Sequence, residues 1–448
     1  LPEFVGAYTT FFWTYSISKK YKITFMKLSA FFLLVTMVVV TTATAQKIEP
    51  ATNVAASGFS ADRLKRIDDQ MNDWVKKGWV NGTVGLVIRN GKIVYYKAAG
   101  YNDIATKQAM KKDDIFRIAS QTKAITSVAV MMLYEEGKFL LDDPISQYIP
   151  AYANETVLEK FNEADSTYTT VPAKRQATVR DLLTHTSGIG YAQIGSKEAN
   201  AIYAKNNITA GLDVSGDKLS DAMNRLGKLP LMHQPGEKFT YGLNVDLLGD
   251  LVEMWSGMSL EDFFRTRIFE PLGMNDTWFN LPASKGSRLV NMYSEDSTGV
   301  LQKLTGEALG GHIDYPLRKK NYFSGGAGLS STAYDYAVFL QMMLNGGTYN
   351  GKRILSRNTV RIMTMNQIGD VPLGNDKFGL GFSVVTEKGS GANPSQVGTF
   401  SWGGAFKTSY WVDPKEKMVI VFYRQLLNTS HGELADKFKV MAYSALND

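Results

Sequence analysis

Apolar residues repeat along this chain with two periods. Leu64, Ile67, Met71 and Trp74, with Val75 beside them, follow the spacing of one helical face. They predict a helix that Ser60 caps and Gly78 stops. Thr83–Arg89 (TVGLVIR) and Lys92–Ala98 (KIVYYKA) read as strands around Asn90-Gly91, a two-residue hairpin signal. Thr122–Glu136 reads as a helix ended by Gly137. Residues 146–320 are less regular and richer in turns, with helical pieces at 218–228 and 244–256. Strand signals return at Gly379–Thr386, Val397–Trp402, Ser409–Val412 and Met418–Tyr423. Leu434, Phe438, Met441, Ala442 and Ala445 then mark a closing amphipathic helix.

This order predicts an α+β protein. One antiparallel sheet is built from both chain ends and flanked by helices, because hairpins need no crossover connection. Residues 46–145 and 321–448 form this α/β lobe, and 146–320 form a mainly helical second lobe. A site is expected in a cleft between them.

Met26–Ala45 departs from the pattern. A lysine precedes the apolar run Leu28–Val40, and Ala43-Thr44-Ala45 is a small-x-small cleavage site. That is the layout of a secretory signal peptide. The run is short against the ~20 residues of a membrane span. Residues 1–25 precede this start and read as an upstream extension that is not native. The mature protein is expected to be periplasmic or secreted, with no membrane attachment after cleavage.

Composition narrows the chemistry. The 448 residues are 44% hydrophobic and 21% charged, as in an ordinary globular protein. There is no cysteine, which excludes disulfide scaffolds, thiolate metal sites and a cysteine nucleophile. The net charge of +6 includes four lysines and one glutamate of residues 1–45; the remainder is too mildly basic to argue for nucleic acid or an anionic membrane surface. The four histidines show no metal-ligand spacing. No Gly-x-Ser-x-Gly elbow supports a Ser–His–Asp triad.

Three segments carry candidate chemistry. Ser120-Gln121-Thr122-Lys123 sits where Phe116–Ala119 leads into the helix 122–136. A serine there meets the free N–H groups of a helix start, and a lysine three residues on shares its face. A partly buried lysine has a lowered pKa and can act as a base. An N-cap serine with a solvated lysine is the alternative. Tyr241 follows a Pro235-Gly236 turn, and a tyrosine near a cation can take a proton from serine, or simply pack. Trp402-Gly403-Gly404-Ala405 ends one strand signal before another. Its glycines permit close backbone approach, for an oxyanion hole or a strand bulge.

Together these segments resemble the serine β-lactamase and penicillin-binding-protein superfamily. The branch they resemble is the class C β-lactamases, and most closely the family VIII carboxylesterases. Leu141-Asp142-Asp143-Pro144, Thr178–Gly188 (TVRDLLTHTSG) and Gly325–Thr332 (GGAGLSST) with Asp335 match further family stretches. The resemblance covers about residues 60–445. It implies Ser120 as nucleophile, Lys123 as its partner and Tyr241 as shared general base and acid. The N–H groups of Ser120 and Ala405 would form the oxyanion hole. Gln121, Leu243, Asn244, Trp402, Gly403 and Gly404 would contact substrate, and His185 would be structural. No cofactor or metal is implied.

Two departures bear on the substrate. The tyrosine-x-asparagine motif of the β-lactamases reads Tyr241-Gly242-Leu243 here, with Asn244 one residue late. That shift rotates a helical side chain by about 100°. The lysine-threonine-glycine motif is replaced by Trp402-Gly403-Gly404, as in the esterase members. Losing a charge-assisted grip on a carboxylate costs roughly 1.5–3 kcal/mol. Lys407 stands where the family carries glycine; turned inward it restores that grip, turned outward it is surface charge. The expected activity is a carboxylesterase on short-chain or aryl esters. The alternatives are a class C-like β-lactamase, a D,D-peptidase or D-aminopeptidase, or a non-catalytic penicillin-binding-like protein. The expected partner is a small-molecule ester, or a β-lactam or peptidoglycan-derived substrate; oligomeric state is not legible.

Overall fold

A computed structural model describes residues 47–208, 211–212 and 216–448. The upstream extension and the signal peptide expected at 1–45 lie outside the described residues. The predicted first helix is α1, Ala61–Lys76, with the Ser60 hydroxyl accepting the Arg63 N–H. Beyond it Gly78 takes φ 73°, the left-handed stop that glycine permits.

The main sheet has nine strands. In chain order those used below are β1 (Glu49–Pro50), β2 (Gly82–Arg89), β3 (Lys92–Asp103), β4 (Lys377–Phe378), β5 (Ser383–Val384), β6 (Phe400–Gly403), β7 (Thr408–Asp413) and β8 (Met418–Tyr423). Their order across the sheet is β1-β3-β2-β8-β7-β6-β5-β4, with Gln108–Ala109 also paired to β3. The β2–β3 hairpin turns at Asn90 and Gly91, both at positive φ (50° and 73°). β8 pairs antiparallel with β2 from Met418↔Arg89 to Tyr423↔Val84, so the two chain ends join mid-sheet.

Two details correct the expectation. The edge strand β1 runs parallel to β3, so the sheet is mixed rather than wholly antiparallel. Of the strand expected at Gly379–Thr386 only Ser383–Val384 (β5) forms; β4 lies just before it, and the chain reverses between the two. Gly379 donates back to the Phe382 carbonyl at 2.7 Å, and Gly381 takes φ 96°. A Cβ on Gly381 would stand 2.3 Å from Ser127 Oγ, so the reversal lets the chain press against the next helix.

Helices cover both faces. α2 (Thr122–Glu135), α3 (Asn244–Ser256) and α4 (Ala333–Leu344) share one core with Val84, Leu86 and Ile88 of β2. α1 and α5 (Leu434–Ser444) pack with Val87 and Phe422 on the other face. α2 is buried from Thr122 to Leu133, which is why its sequence is apolar all round. Residues 146–320 hold helices including Leu219–Leu226 and α3, together with hairpins such as Thr156–Phe161 with Tyr168–Pro172. Among the described residues no helix is long and apolar enough to cross a membrane.

The α5 seam rests on Phe438. Its ring stacks on Phe422 with centroids 4.5 Å apart, and a Cβ at Gly85 would meet it at 2.5 Å. Phe438→Ala is expected to lower unfolding free energy by about 3–5 kcal/mol, measured by urea titration.

Candidate active site

Phe116–Arg117 pairs with Ser330–Ser331, and the chain then tightens into one 3-10 turn, Ala119–Gln121, before α2. Ala119 takes φ 42°, a conformation that residues with a Cβ rarely adopt and that costs of order 1–3 kcal/mol. The Thr122 hydroxyl holds the Ala119 carbonyl at 2.7 Å and accepts the Leu329 N–H. Ser120 sits half-buried in this turn. No side chain caps α2, so the capping alternative for Ser120 is set aside.

Lys123 lies one turn on, 3% exposed. Its Nζ is 2.7 Å from the Gly326 carbonyl oxygen, 2.8 Å from Tyr191 Oη and 3.4 Å from Ser120 Oγ. An ammonium has three protons to donate and accepts none; here it meets three acceptors. Burial alone would push the amine down, but the phenols of Tyr191 and Tyr241 outweigh it and hold Lys123 above the ordinary lysine range. The lowered amine expected from burial is therefore corrected: its tyrosine neighbours hold Lys123 above the ordinary lysine range.

Tyr241 stands over that cation, its ring centroid 4.6 Å from Lys123 Nζ. Trp402 donates from Nε1 to Tyr241 Oη at 3.3 Å. His185 supports the ring from 4.8 Å. Burial and the Lys123 charge push His185 well below its usual range. Its Nδ1 accepts the Asn244 amide at 3.0 Å, which fits a neutral ring acting as a prop.

β6 and β7 bring the third segment in. A Cβ on Gly404 would lie 2.4 Å from the Ile118 carbonyl and 2.3 Å from Thr408 Oγ1. Only glycine lets the hairpin come this close to the Ser120 turn. Among the described residues nothing accepts the N–H of Ser120 or of Ala405. Both residues line one small pocket of about 50 Å³, walled by Leu212, Leu309 and Ala327. A groove of about 620 Å³ begins at Tyr191 and Tyr241 and runs past Leu158, Phe161 and Met232. A hydroxyl that accepts from a buried ammonium under a phenol ring, with two residues of unbonded N–H lining the same pocket, suits acyl transfer.

Residues 64–443 match the family model described as Beta-lactamase. The chain belongs to the β-lactamase family. It is a serine hydrolase of the β-lactamase and penicillin-binding-protein type. Esterase EstB of Burkholderia gladioli is 28% identical over 83% of this chain and 91% of that protein. A putative D-alanyl-D-alanine carboxypeptidase of Escherichia coli (strain K12) is 30% identical over 86% of each. The structure of EstCE1, a hydrolase with promiscuous acyltransferase activity, superposes with a TM-score of 0.71. It is 25% identical over 88% of this chain and all of EstCE1.

Within the family frame some expected substrate contacts move. Gln121 is fully buried and its Oε1 accepts from Tyr423, so its side chain braces the sheet instead of lining the cleft. Leu243 is fully buried in the core. Asn244 is equally buried, with its amide spent on His185, Ser187 and the Ile189 and Thr240 carbonyls. The one-residue shift turned it inward. Trp402 and Gly403 stay half-buried at the site. Lys407 lies beside Arg424; burial and that guanidinium push it down. Arg424 in turn sits over the ring of Phe422, which packs in the cluster of α1 and α5.

Tyr191 is a site contact that the sequence pattern does not single out. It is one of 22 tyrosines and follows the TVRDLLTHTSG stretch by three residues, the only cue to it. Gly404→Ala is expected to force the hairpin off Ile118. Hydrolysis of p-nitrophenyl butyrate should then fall by about 100-fold, with unchanged far-UV circular dichroism. Unchanged turnover would mean that the close approach is dispensable.

Proposed function

We propose that the chain is a carboxylesterase for short-chain or aryl esters and that Ser120 is its nucleophile. Ser120 Oγ bonds to the ester carbonyl carbon as its proton passes to Tyr241, which acts as a phenolate beside the Lys123 ammonium. The oxyanion rests on the N–H groups of Ser120 and Ala405, steadied by the Lys123 ammonium. The C–O bond to the alcohol breaks as Tyr241 returns the proton to the leaving oxygen. Water then repeats the sequence on the acyl-enzyme and frees the acid. The alcohol must leave on the Tyr241 side, where the larger groove opens; the small pocket by Ser120 suits a short acyl group.

The observation that carries the ester reading is the wall at Trp402. Its ring packs 5.5 Å from Tyr241 and 5.3 Å from Phe378, where the β-lactamases it resembles place a lysine. A peptidase reading draws on the E. coli relative's name and on Lys238, an exposed cation lining the larger groove. Glu159 and Glu198 line the same groove and outnumber it, which disfavours a substrate carboxylate there. The same reading takes residues 26–45 as an export signal, and 46–145 with 321–448 as the lobe facing 146–320.

Parallel assays with p-nitrophenyl butyrate and nitrocefin test the choice. Ester turnover is expected to dominate; faster nitrocefin turnover would reverse the assignment. A fluorophosphonate should label the wild type and not Ser120→Ala, which also separates an enzyme from a non-catalytic binder. Lys123→Ala and Tyr241→Phe should each cost about a thousandfold or more in kcat, since cooperating groups fail as a unit.

A further inference from the structure

The phenols of Tyr191 and Tyr241 offset the burial of the Lys123 ammonium, and a buried ammonium also draws any opposite charge within reach. One carboxylate faces it. Asp246, in the first turn of α3, is fully buried. Its Oδ1 accepts from Ser324 Oγ at 2.6 Å and from Tyr322 Oη at 3.4 Å. Its Oδ2 has no side-chain partner and points at the backbone of Gly326. A Cβ on Gly326 would stand 2.4 Å from that Oδ2 and 3.3 Å from Lys123 Nζ. The two charges thus meet across the space of an absent side chain, with the Gly326 carbonyl already bonded to the ammonium.

We propose that Asp246 is a positioning residue, the counter-charge that holds Lys123 as an ammonium against Ser120, with Gly326 as the gap through which it acts. The inference rests on the reading of Ser120 as nucleophile. The titratable groups facing Asp246 are Lys123 on α2, Tyr191 in the segment before Lys197–Lys205, and Tyr322 in the strand-free segment that carries Ser324. Burial raises the Asp246 carboxyl, and Ser324, Lys123 and the Gly326 N–H oppose that rise. Loss of the carboxylate leaves the ammonium with the Tyr191 and Tyr241 phenols alone, so it sheds its proton at lower pH. Loss of the Ser324 donor leaves the carboxylate in place but protonates it at higher pH.

The rate of fluorophosphonate labelling of Ser120, followed against pH, tests this independently of which substrate the enzyme prefers. Asp246→Asn is expected to label about tenfold more slowly at pH 8, with its alkaline fall displaced downward by about one pH unit. Ser324→Ala should keep the wild-type rate at high pH while its acid limb moves upward. A folded Asp246→Asn with its limbs at the wild-type pH, whether slowed or not, overturns the proposal. If that variant does not fold, an unmoved acid limb in Ser324→Ala overturns it. Wild-type protein that takes no label sinks the nucleophile reading instead.

Discussion

A single ammonium, buried in the core of the protein, organises everything around it. Lys123 has three protons and three acceptors, each on a different segment: Ser120 ahead of α2, Tyr191 after the TVRDLLTHTSG stretch, and the carbonyl of Gly326. A buried charge tolerates little displacement, because an unmade hydrogen bond in low dielectric costs far more than a made one returns. Lys123 therefore ties three segments together at one point, adding to the pairing of Phe116–Arg117 with Ser330–Ser331. The strain at Ala119 is sustained by the same scheme, since Thr122 ties down the carbonyl that the odd backbone angle exposes.

The aromatic layer works alongside that charge. His185, Tyr191 and Trp402 each lie within 6 Å of the Tyr241 ring. A phenol held on three sides keeps its oxygen aimed without a rigid hydrogen-bond cage. Asn244 contributes from behind by fixing the tautomer of His185. A residue that the family's motif spacing suggested for substrate recognition serves the scaffold here, and the cleft wall is left to rings.

Much of this was legible in the residues. The hairpin at Asn90-Gly91, the cap at Ser60, the stop at Gly137 and the closing helix all have local causes, and they stand where those causes put them. The closeness of Ser120 and Lys123 was legible from helix spacing, whereas the place of Tyr241 over that lysine was suggested by the resemblance alone. The remainder was not local. Whether a buried lysine loses or keeps its proton depends on Tyr191 and Gly326, 68 and 203 residues away. The inward turn of Gln121 depends on Tyr423, 302 residues on. The reversal that shortens the strand expected at Gly379–Thr386 goes with the close approach of Gly381 to Ser127, which no propensity encodes.

The joining of β2 to β8 carries a consequence for how the molecule is made. The turn holding Ser120 is braced by groups supplied late: the Arg117 N–H donates to Gln425, 308 residues further along, and Gly404 seats against Ile118. Contacts of such separation close slowly, because loop entropy must be overcome before they stabilise anything. On the ribosome the first three hundred residues can collapse but cannot assemble a working centre. Competence arrives only with the last strands, so a nascent or truncated chain is inert until it is nearly complete.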